Sequence, residues 1–318
     1  MKSILFLGYS NLLKSRILPI LAKVGFEEVS IAKYHGQEWD DDFKSYEIPV
    51  TYYNNYSEGL ENFSGELVYI STVNSTHAEF ARTSLNLGFN TIVDKPATIS
   101  YEEAWELVNL AKLKHLFFGE STVYLMHPQL TVAKNIFSLY EDIPKLLTVH
   151  FTMPPFAPTN FRYQRILGGG AIMDTAPYAV SIGRYFFGSK PETVTCHISE
   201  QTQDGLDIQY SLLMSYPNGK TMVGHFGFNT EYINQVYIMG NRTNVLINRI
   251  FTIPDNLENE LTVNHLNQAS IIKAPAANNF EIYLKTVIDT IKNGIYDQVY
   301  QDLLWDAEVR NMIINNIN

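Results

Sequence analysis

The sequence predicts an α/β domain of the doubly wound, parallel type, followed by an α+β domain. Three observations carry this. Short, wholly apolar runs alternate with helix-period stretches through the first third of the chain. After about residue 120 the pattern becomes consecutive strand-like runs with short turns, which points to an antiparallel sheet. A glycine-launched helix, "GGGAIMDTAPYAVSIGRYFFG" from Gly168 to Gly188, interrupts those strands. The expected domains are 1–120 and 121–318.

In order, "SILFLG" reads as a strand buried on both faces. "NLLKSRILPILAKVG" has apolar residues at helical spacing and stops at Gly25. "VSIAKY" and "LVYIST" are the next strands, and "HAEFARTSLNLG" is a helix stopped by Gly88. "NTIVDKP" is a strand ended by Pro96. In "SYEEAWELVNLAKLKH", Ser100 and Glu103 form a capping box, and "LFFGE" is a fifth strand. Then come "KLLTVHFTM", "ETVTCHIS", "DIQYSLLMSY", "KTMVGHFGF", "NQVYIMG" and "TNVLINR". Asn218-Gly219 is a hairpin signal between two of them. Two amphipathic stretches, "NFEIYLKTVIDTIKNG" and "YQDLLWDAEVRNMIINNI", close the chain.

Composition narrows the function classes. Of 318 residues 46 % are hydrophobic and 18 % charged, enough for a sizeable core. A net charge of −10 argues against nucleic acid as partner. It does not argue against an anionic ligand, since helix N-termini and a few cations suffice. The single cysteine, Cys196, allows no internal disulfide and fits a reducing compartment. No run reaches membrane-span length, and "MKSILFLGYS" reads as a strand rather than a signal peptide, so the expected setting is the cytoplasm. His35, His115, His150, His197 and His225 lack metal-ligand spacing, so no metal is expected.

Three motifs carry chemistry. A strand, Gly8 and a helix at the N-terminus make the place where a dinucleotide pyrophosphate sits. The text is "GYSNLL", with Ser10 and Leu13 where the second and third glycines of G-x-G-x-x-G would stand. Gly8, Ser10, Asn11 and Leu12 are the candidate phosphate contacts; the alternative is a tight turn alone. The end of the second strand offers Lys33 and Tyr34 instead of an acid. A lysine suits a 2′-phosphate and a tyrosine ring can stack on adenine, which favours NADP(H), with NAD(H) possible; a solvated surface lysine is the other reading. At "VDKPAT", Asp94-Lys95-Pro96 ends a buried strand at the edge where α/β sheets bind ligands. Pro96 biases Lys95 toward extended backbone, so it can reach a reacting hydroxyl or carbonyl; a plain surface turn is the alternative. In the third motif Asp174 and Tyr178, four apart, share one helical face. Packing glycines, a first-turn acid and a core aromatic would account for them separately.

Together these motifs resemble the Gfo/Idh/MocA oxidoreductase family over nearly the whole chain. "STVNSTHAEFARTSLNLGFNTIVDKPAT" looks like the family segment with an Asn and a His after the third strand and Glu-Lys-Pro after the fourth. "ESTVYLMHPQL", with His127-Pro128, resembles the start of the second domain, and "NFRYQRILGGGAIMD" the Asn-x-Arg and triple-glycine stretch. "GYSNLLKSRILPIL" and "GNRTNVLINRIFTIPDN" look like members that reduce keto groups on nucleotide-linked sugars. The resemblance implies a Rossmann domain, then a domain with a large, mostly antiparallel open sheet through which members form homodimers or homotetramers. It implies a bound nicotinamide cofactor touched by Thr72, Asn74, His77, Asp94 and Lys95. It implies hydride transfer at a sugar carbon, with Lys95, Asp174 and Tyr178 catalytic and Asn160 and Arg162 on the substrate. Two positions depart from the family pattern: Asp94 replaces the usual Glu, and Tyr178 stands where many members have His.

The expected reaction is reduction of a keto-sugar, nucleotide-linked, by NADPH. Tyr178, a phenol with ordinary pKa near ~10, donates the proton. Lys95 steadies the oxyanion, Asp174 orients Lys95 or a substrate hydroxyl, and Arg162 holds a hydroxyl or phosphate, a surface ion pair being its alternative. Other readings remain: an NAD-dependent sugar dehydrogenase, a lyase or hydrolase that recycles its cofactor in place, and a non-catalytic sensor or scaffold.

Overall fold

The computed structural model describes residues 2–39 and 47–317. The chain divides into two units, Met1–Ser121 with Phe280–Leu304, and Thr122–Asn279 with Trp305–Asn318. The first thus takes in Phe280–Leu304, which the sequence alone places with 121–318.

The first unit holds a six-stranded, wholly parallel sheet: β1 (Ser3–Leu7), β2 (Glu28–Ala32), β3 (Val50–Tyr53), β4 (Leu67–Ile70), β5 (Asn90–Asp94) and β6 (Phe118–Ser121). The order is β3-β2-β1-β4-β5-β6. Direction reverses between β1 and β4, so that is the switch point where such sheets bind ligands. The edge strand β3 escapes the sequence pattern because "VTYY" is partly exposed and shows no apolar run. The first helix is also not the single α-helix expected. It runs as a π turn (Leu13–Ile17), a 3-10 turn (Leu18–Ile20) and α1 (Leu21–Val24). Pro19 has no N–H to donate, so the ladder cannot run through it. Gly25, at φ +103°, ends the helix. The other helices are α2 (Tyr56–Asn62), α3 (His77–Asn86) and α4 (Tyr101–Lys114). At α4 the Ser100 hydroxyl accepts from the Glu103 N–H at 3.1 Å, while the Glu103 carboxylate takes the Ile99 N–H at 3.1 Å.

In the second unit α5 (Pro128–Leu139) leads into β7 (Leu146–Thr152), followed by α6 (Ala171–Phe187). The strands β8 (Thr193–Gln201), β9 (Asp207–Tyr216), β10 (Lys220–Gly227), β11 (Ile233–Met239), β12 (Thr243–Asn248), β13 (Asn259–His265) and β14 (Gln268–Ala274) complete an eight-stranded sheet. Its order is β14-β13-β12-β11-β7-β10-β9-β8. Every pair is antiparallel except β7 with β10. The last two strands go beyond the sequence expectation; β14 is mostly exposed and shows little inward-outward alternation. Leu147, Val149 and Phe151 of β7 point inward to a core shared with Ala176, Ala179 and Val180 of α6. Each large side chain so buried contributes about 1.5–3 kcal/mol. On the opposite face the register sets Leu213, Val223, Thr148, Tyr237, Leu246, Thr262 and Ile271 in one row across seven strands. α7 (Asn279–Asn293) and α8 (Asp297–Asn315) close the chain. Tyr283 donates to the Glu120 carbonyl at 3.1 Å and Tyr300 to that of Leu116, which ties Phe280–Leu304 to β6.

One buried carboxylate stabilises the second sheet from a loop. Asp142 Oδ1 accepts the N–H groups of Ile143 and Asn241, at 2.9 and 3.0 Å. Its Oδ2 accepts those of Arg242 and Thr243, at 2.8 and 2.9 Å. Burial raises its pKa, but the four amides outweigh burial and hold it below the usual carboxylate range. A folded-state pKa below the unfolded value makes this contribution full above the unfolded pKa of about 4 and progressively lost below it. Asp142→Ala is expected to cost about 3 kcal/mol in urea unfolding at neutral pH. The gap to wild type should shrink at pH 3; an equal gap at both pH values would contradict this account.

Candidate functional site

In the first unit the candidate residues gather at the carboxyl edge of the parallel sheet. Gly8 leaves β1 at φ +112°, and its N–H donates to the Ala32 carbonyl at 2.9 Å. A Cβ there would lie 2.2 Å from the Ser71 carbonyl oxygen, so only glycine lets the ends of β1 and β4 close on each other. Ser10 Oγ accepts the Leu13 N–H at 3.1 Å, and the first helical bond runs from Lys14 N–H to the Ser10 carbonyl. The N–H groups of Asn11 and Leu12 come before that bond, at the positive end of the helix.

Ser10 Oγ also lies 2.9 Å from Ser71 Oγ, and Ser71 donates to Asp94 Oδ2 at 2.6 Å. The Tyr69 hydroxyl bonds Asp94 Oδ1 at 2.7 Å and Ser121 Oγ at 2.7 Å. A phenol has one proton, so Tyr69 donates to the carboxylate and accepts from Ser121. Burial, then the Asp94 charge, push the Tyr69 phenol well above its ordinary value, so it stays a donor. Asp94 is thereby held by two hydroxyls at the ends of β1, β4, β5 and β6. Ser71, Tyr69 and Ser121 sit inside apolar strand text; their position at strand ends was the only signal for them.

His77 is fully buried, with Nδ1 2.8 Å from the Pro96 carbonyl and Nε2 3.2 Å from that of Thr72. It joins the loop after β4 to the Lys-Pro turn. The Thr72 and Thr76 hydroxyls lie 2.8 Å apart, and Asn74 is buried in the same turn. The Ala97 N–H donates to the Glu120 carboxylate at 2.7 Å, which steadies the turn bearing half-buried Lys95. Lys33 is only 8 % exposed; its ammonium donates to the Gln37 carbonyl and stands 4.8 Å from the Trp39 ring centre. Gln37 in turn donates to the Tyr9 carbonyl at 3.1 Å, while Tyr34 is 67 % exposed.

In the second unit the candidates meet at the start of α6. Gly168 and Gly170 take φ +75° and +109°, and a Cβ on Gly169 would fall 2.6–2.8 Å from the carbonyls of Phe161, Arg162 and Gln164. The glycines thus fold the preceding loop onto the helix end. Asp207, from β9, supplies the cap: its Oδ2 accepts the Ile172 N–H at 2.6 Å. Burial raises the Asp207 pKa despite that bond. Capping from a distant strand carries no local sequence signature.

Arg162 Nε donates to Asp174 Oδ2 at 2.8 Å, and its guanidinium carbon lies 4.8 and 4.7 Å from the ring centres of Phe156 and Phe161. Asn160 Oδ1 accepts the Arg162 N–H at 3.1 Å. Asn160, Arg162 and Asp174 therefore form one cluster, with Asp174 6 % exposed. One turn on, half-buried Tyr178 lies among the rings of Tyr124, Phe151 and Phe251, with centres 5.6, 5.0 and 4.9 Å away. Among the described residues no group of three or more His, Cys, Asp or Glu is placed to hold a metal ion, and no helix is long and apolar enough to cross a membrane.

Residues 2–121 match the oxidoreductase family of NAD-binding Rossmann fold, and residues 144–245 match the Gfo/Idh/MocA C-terminal domain. The dTDP-3,4-didehydro-2,6-dideoxy-alpha-D-glucose 3-reductase of Saccharopolyspora spinosa is 26 % identical over 223 residues, 70 % of this chain and 67 % of the relative. A D-xylose 1-dehydrogenase (NADP(+)) of Haloferax volcanii is 25 % identical over 213 residues, 67 % of this chain and 65 % of the relative. Among solved structures, KijD10, a 3-ketoreductase from Actinomadura kijaniata in complex with NADP and TDP-benzene, superposes with TM-score 0.91 at 22 % identity, covering 100 % of this chain and 98 % of that one. An aldose-aldose oxidoreductase from Caulobacter crescentus gives 0.85 at 18 %, covering 99 % and 97 %. Both domains of the pattern are thus matched, over more than two thirds of the chain, and the protein belongs to the Gfo/Idh/MocA family of oxidoreductases.

Proposed function

We propose that the protein reduces a ketone carbon of a nucleotide-linked sugar at the expense of NADPH. The observation that carries the reading is Tyr178, a half-buried phenol one helical turn beyond an arginine-paired carboxylate, in a chain similar to reductases of dTDP-linked keto-sugars.

The residues of the first unit suit a dinucleotide. Gly8 makes the close turn at the switch point, and Ser10, Asn11 and Leu12 offer a hydroxyl and first-turn N–H groups for the pyrophosphate. Thr72, Asn74, Asp94 and Lys95 line the ends of β4 and β5 for the nicotinamide half, with His77 bracing both loops. Among the described residues the partners of Lys33 are neutral, a carbonyl and a ring, so its charge suits the 2′-phosphate of NADPH. When bound, the reduced nicotinamide supplies hydride for the ketone carbon. In this reading Tyr178 is the proton donor to the substrate oxygen, and Lys95 is the cation that steadies developing charge. Arg162 has Nε committed to Asp174, which aims its remaining N–H groups at a substrate hydroxyl or phosphate; Asn160 offers its amide to the same sugar.

The outer row of the second sheet has no Asp, Glu, Lys or Arg from Leu213 to Ile271. In a chain of net charge −10 a row without charge is where a second copy meets least repulsion, so this row, on the face that also carries Glu260 and Lys273, is read as the homo-oligomer contact. A nicotinamide-dependent reductase with one buried cysteine fits the cytoplasm.

Titration of NADPH and NADH by nicotinamide fluorescence tests the reading. Wild type is expected to bind NADPH at least ten times more tightly than NADH, and Lys33→Ala to abolish the preference. Equal affinities would remove the NADP assignment. No binding of either, with none released on denaturation, would favour the sensor or scaffold. NAD released only on denaturation would favour the cofactor-recycling enzymes.

A further inference from the structure

Three buried amides, Gln129, Asn234 and Asn259, converge on the loop between β12 and β13. The Asn234 carbonyl accepts the Arg249 N–H at 2.6 Å and its Oδ1 accepts the Phe251 N–H at 3.0 Å. Its Nδ2 donates to Thr252 Oγ1 at 2.8 Å and to the Tyr232 hydroxyl at 3.0 Å. Gln129 Nε2 donates to the Ile250 carbonyl at 3.0 Å, and its Oε1 accepts from Asn259 Nδ2 at 2.6 Å. Asn259 also donates to the Asn248 carbonyl at 2.7 Å. The loop is thus fastened residue by residue from 248 to 252, through Arg249 at φ +53°. Buried amides cost stability unless every group is satisfied, and once satisfied they specify one arrangement. What this arrangement fixes is Phe251: 3 % exposed, its ring centre 4.9 Å from Tyr178, 5.0 Å from Tyr124 and 5.2 Å from Phe151.

We propose that Asn234 and Phe251 are positioning residues for Tyr178: the amide-fastened loop presses Phe251 against the phenol ring and holds it in one orientation. The inference rests on Tyr178 being the proton donor, because donation depends on a donor fixed within a fraction of an ångström and some ten to twenty degrees. Neither residue touches the reacting atoms. Both act through the ring.

The test uses the full chain with 3-fluorotyrosine incorporated at position 178, alone and with Asn234→Ala or Phe251→Leu. The intact protein is expected to show one sharp ¹⁹F resonance from a held ring, and each variant a shifted or doubled one. In parallel, NADPH oxidation with a dTDP-linked keto-deoxyhexose should show kcat lowered about 10- to 50-fold in each variant, KM changed less than twofold and NADPH affinity unchanged. In a Tyr178→Phe background the same substitutions should cost nothing further. An unmoved ¹⁹F resonance, or an equal loss in both backgrounds, would overturn the positioning role. If Asn234→Ala does not fold, Phe251→Leu leaves every amide bond in place and decides the matter alone. Unchanged kcat in Tyr178→Phe by itself would instead remove the donor assignment, a distinct failure.

Discussion

Tyr178→Phe is expected to lower kcat by about a hundredfold to ten-thousandfold, the usual contribution of a positioned general acid. The substitution removes one oxygen and keeps the ring, so the packing against Tyr124, Phe151 and Phe251 survives. Thermal unfolding should move little. NADPH affinity should not change, because the residues assigned to the cofactor lie in the first unit. The split between an intact fold, intact cofactor binding and lost turnover is what identifies a proton donor. Stopped-flow absorbance at the nicotinamide band separates hydride transfer from product release. A Tyr178→Phe enzyme that turns over at the wild-type rate would leave the proton to another group, and the half-buried phenol would be a packing residue.

Gly8→Ala is expected to abolish nucleotide binding and to destabilise the first unit by about 3 kcal/mol or more, from left-handed backbone strain plus a backbone clash. The added methyl would meet the Ser71 carbonyl oxygen at 2.2 Å and its carbon at 2.7 Å, and neither belongs to a side chain that can rotate away. Relief means separating the ends of β1 and β4, which are also joined by the Ser10–Ser71–Asp94 hydroxyl chain. Gly25→Ala is the control. Its φ is +103°, similarly left-handed, yet a Cβ there meets nothing within 4 Å. It should cost only the backbone strain, about 1–2 kcal/mol, and leave NADPH affinity unchanged. Urea unfolding and fluorescence titration of both variants give the comparison. Equal effects at Gly8 and Gly25 would mean that backbone conformation, not the closure between strands, is what Gly8 provides.

The chain's local chemistry determined a good deal by itself. Apolar strand runs separated by helix-period stretches specify a parallel sheet, since a strand buried on both faces has no polar side to alternate. The Gly8 turn, the Lys95-Pro96 strand end and the triple glycine before Asp174 and Tyr178 were legible because each is a backbone requirement written in adjacent residues. The Ser100–Glu103 cap was legible for the same reason. The break in the first helix falls at Pro19, inside a stretch whose helical spacing of apolar residues does not register it.

Tertiary structure alone decided the rest, because the decisive contacts join residues far apart in sequence. Asp207 caps α6 from 35 residues away, and Tyr69, Ser71 and Ser121 converge on Asp94 from separate strands. Asn259 reaches Gln129 across 130 positions to fasten the loop that carries Phe251. Edge strands β3 and β14 exist through pairing, not pattern: exposure falls on both faces of each, so no inward-outward alternation of hydrophobicity marks them. Periodicity reports which way a side chain faces along its own element. It is silent on which element lies opposite, and that is settled by the hydrogen bonds and packing that only the folded chain can satisfy together.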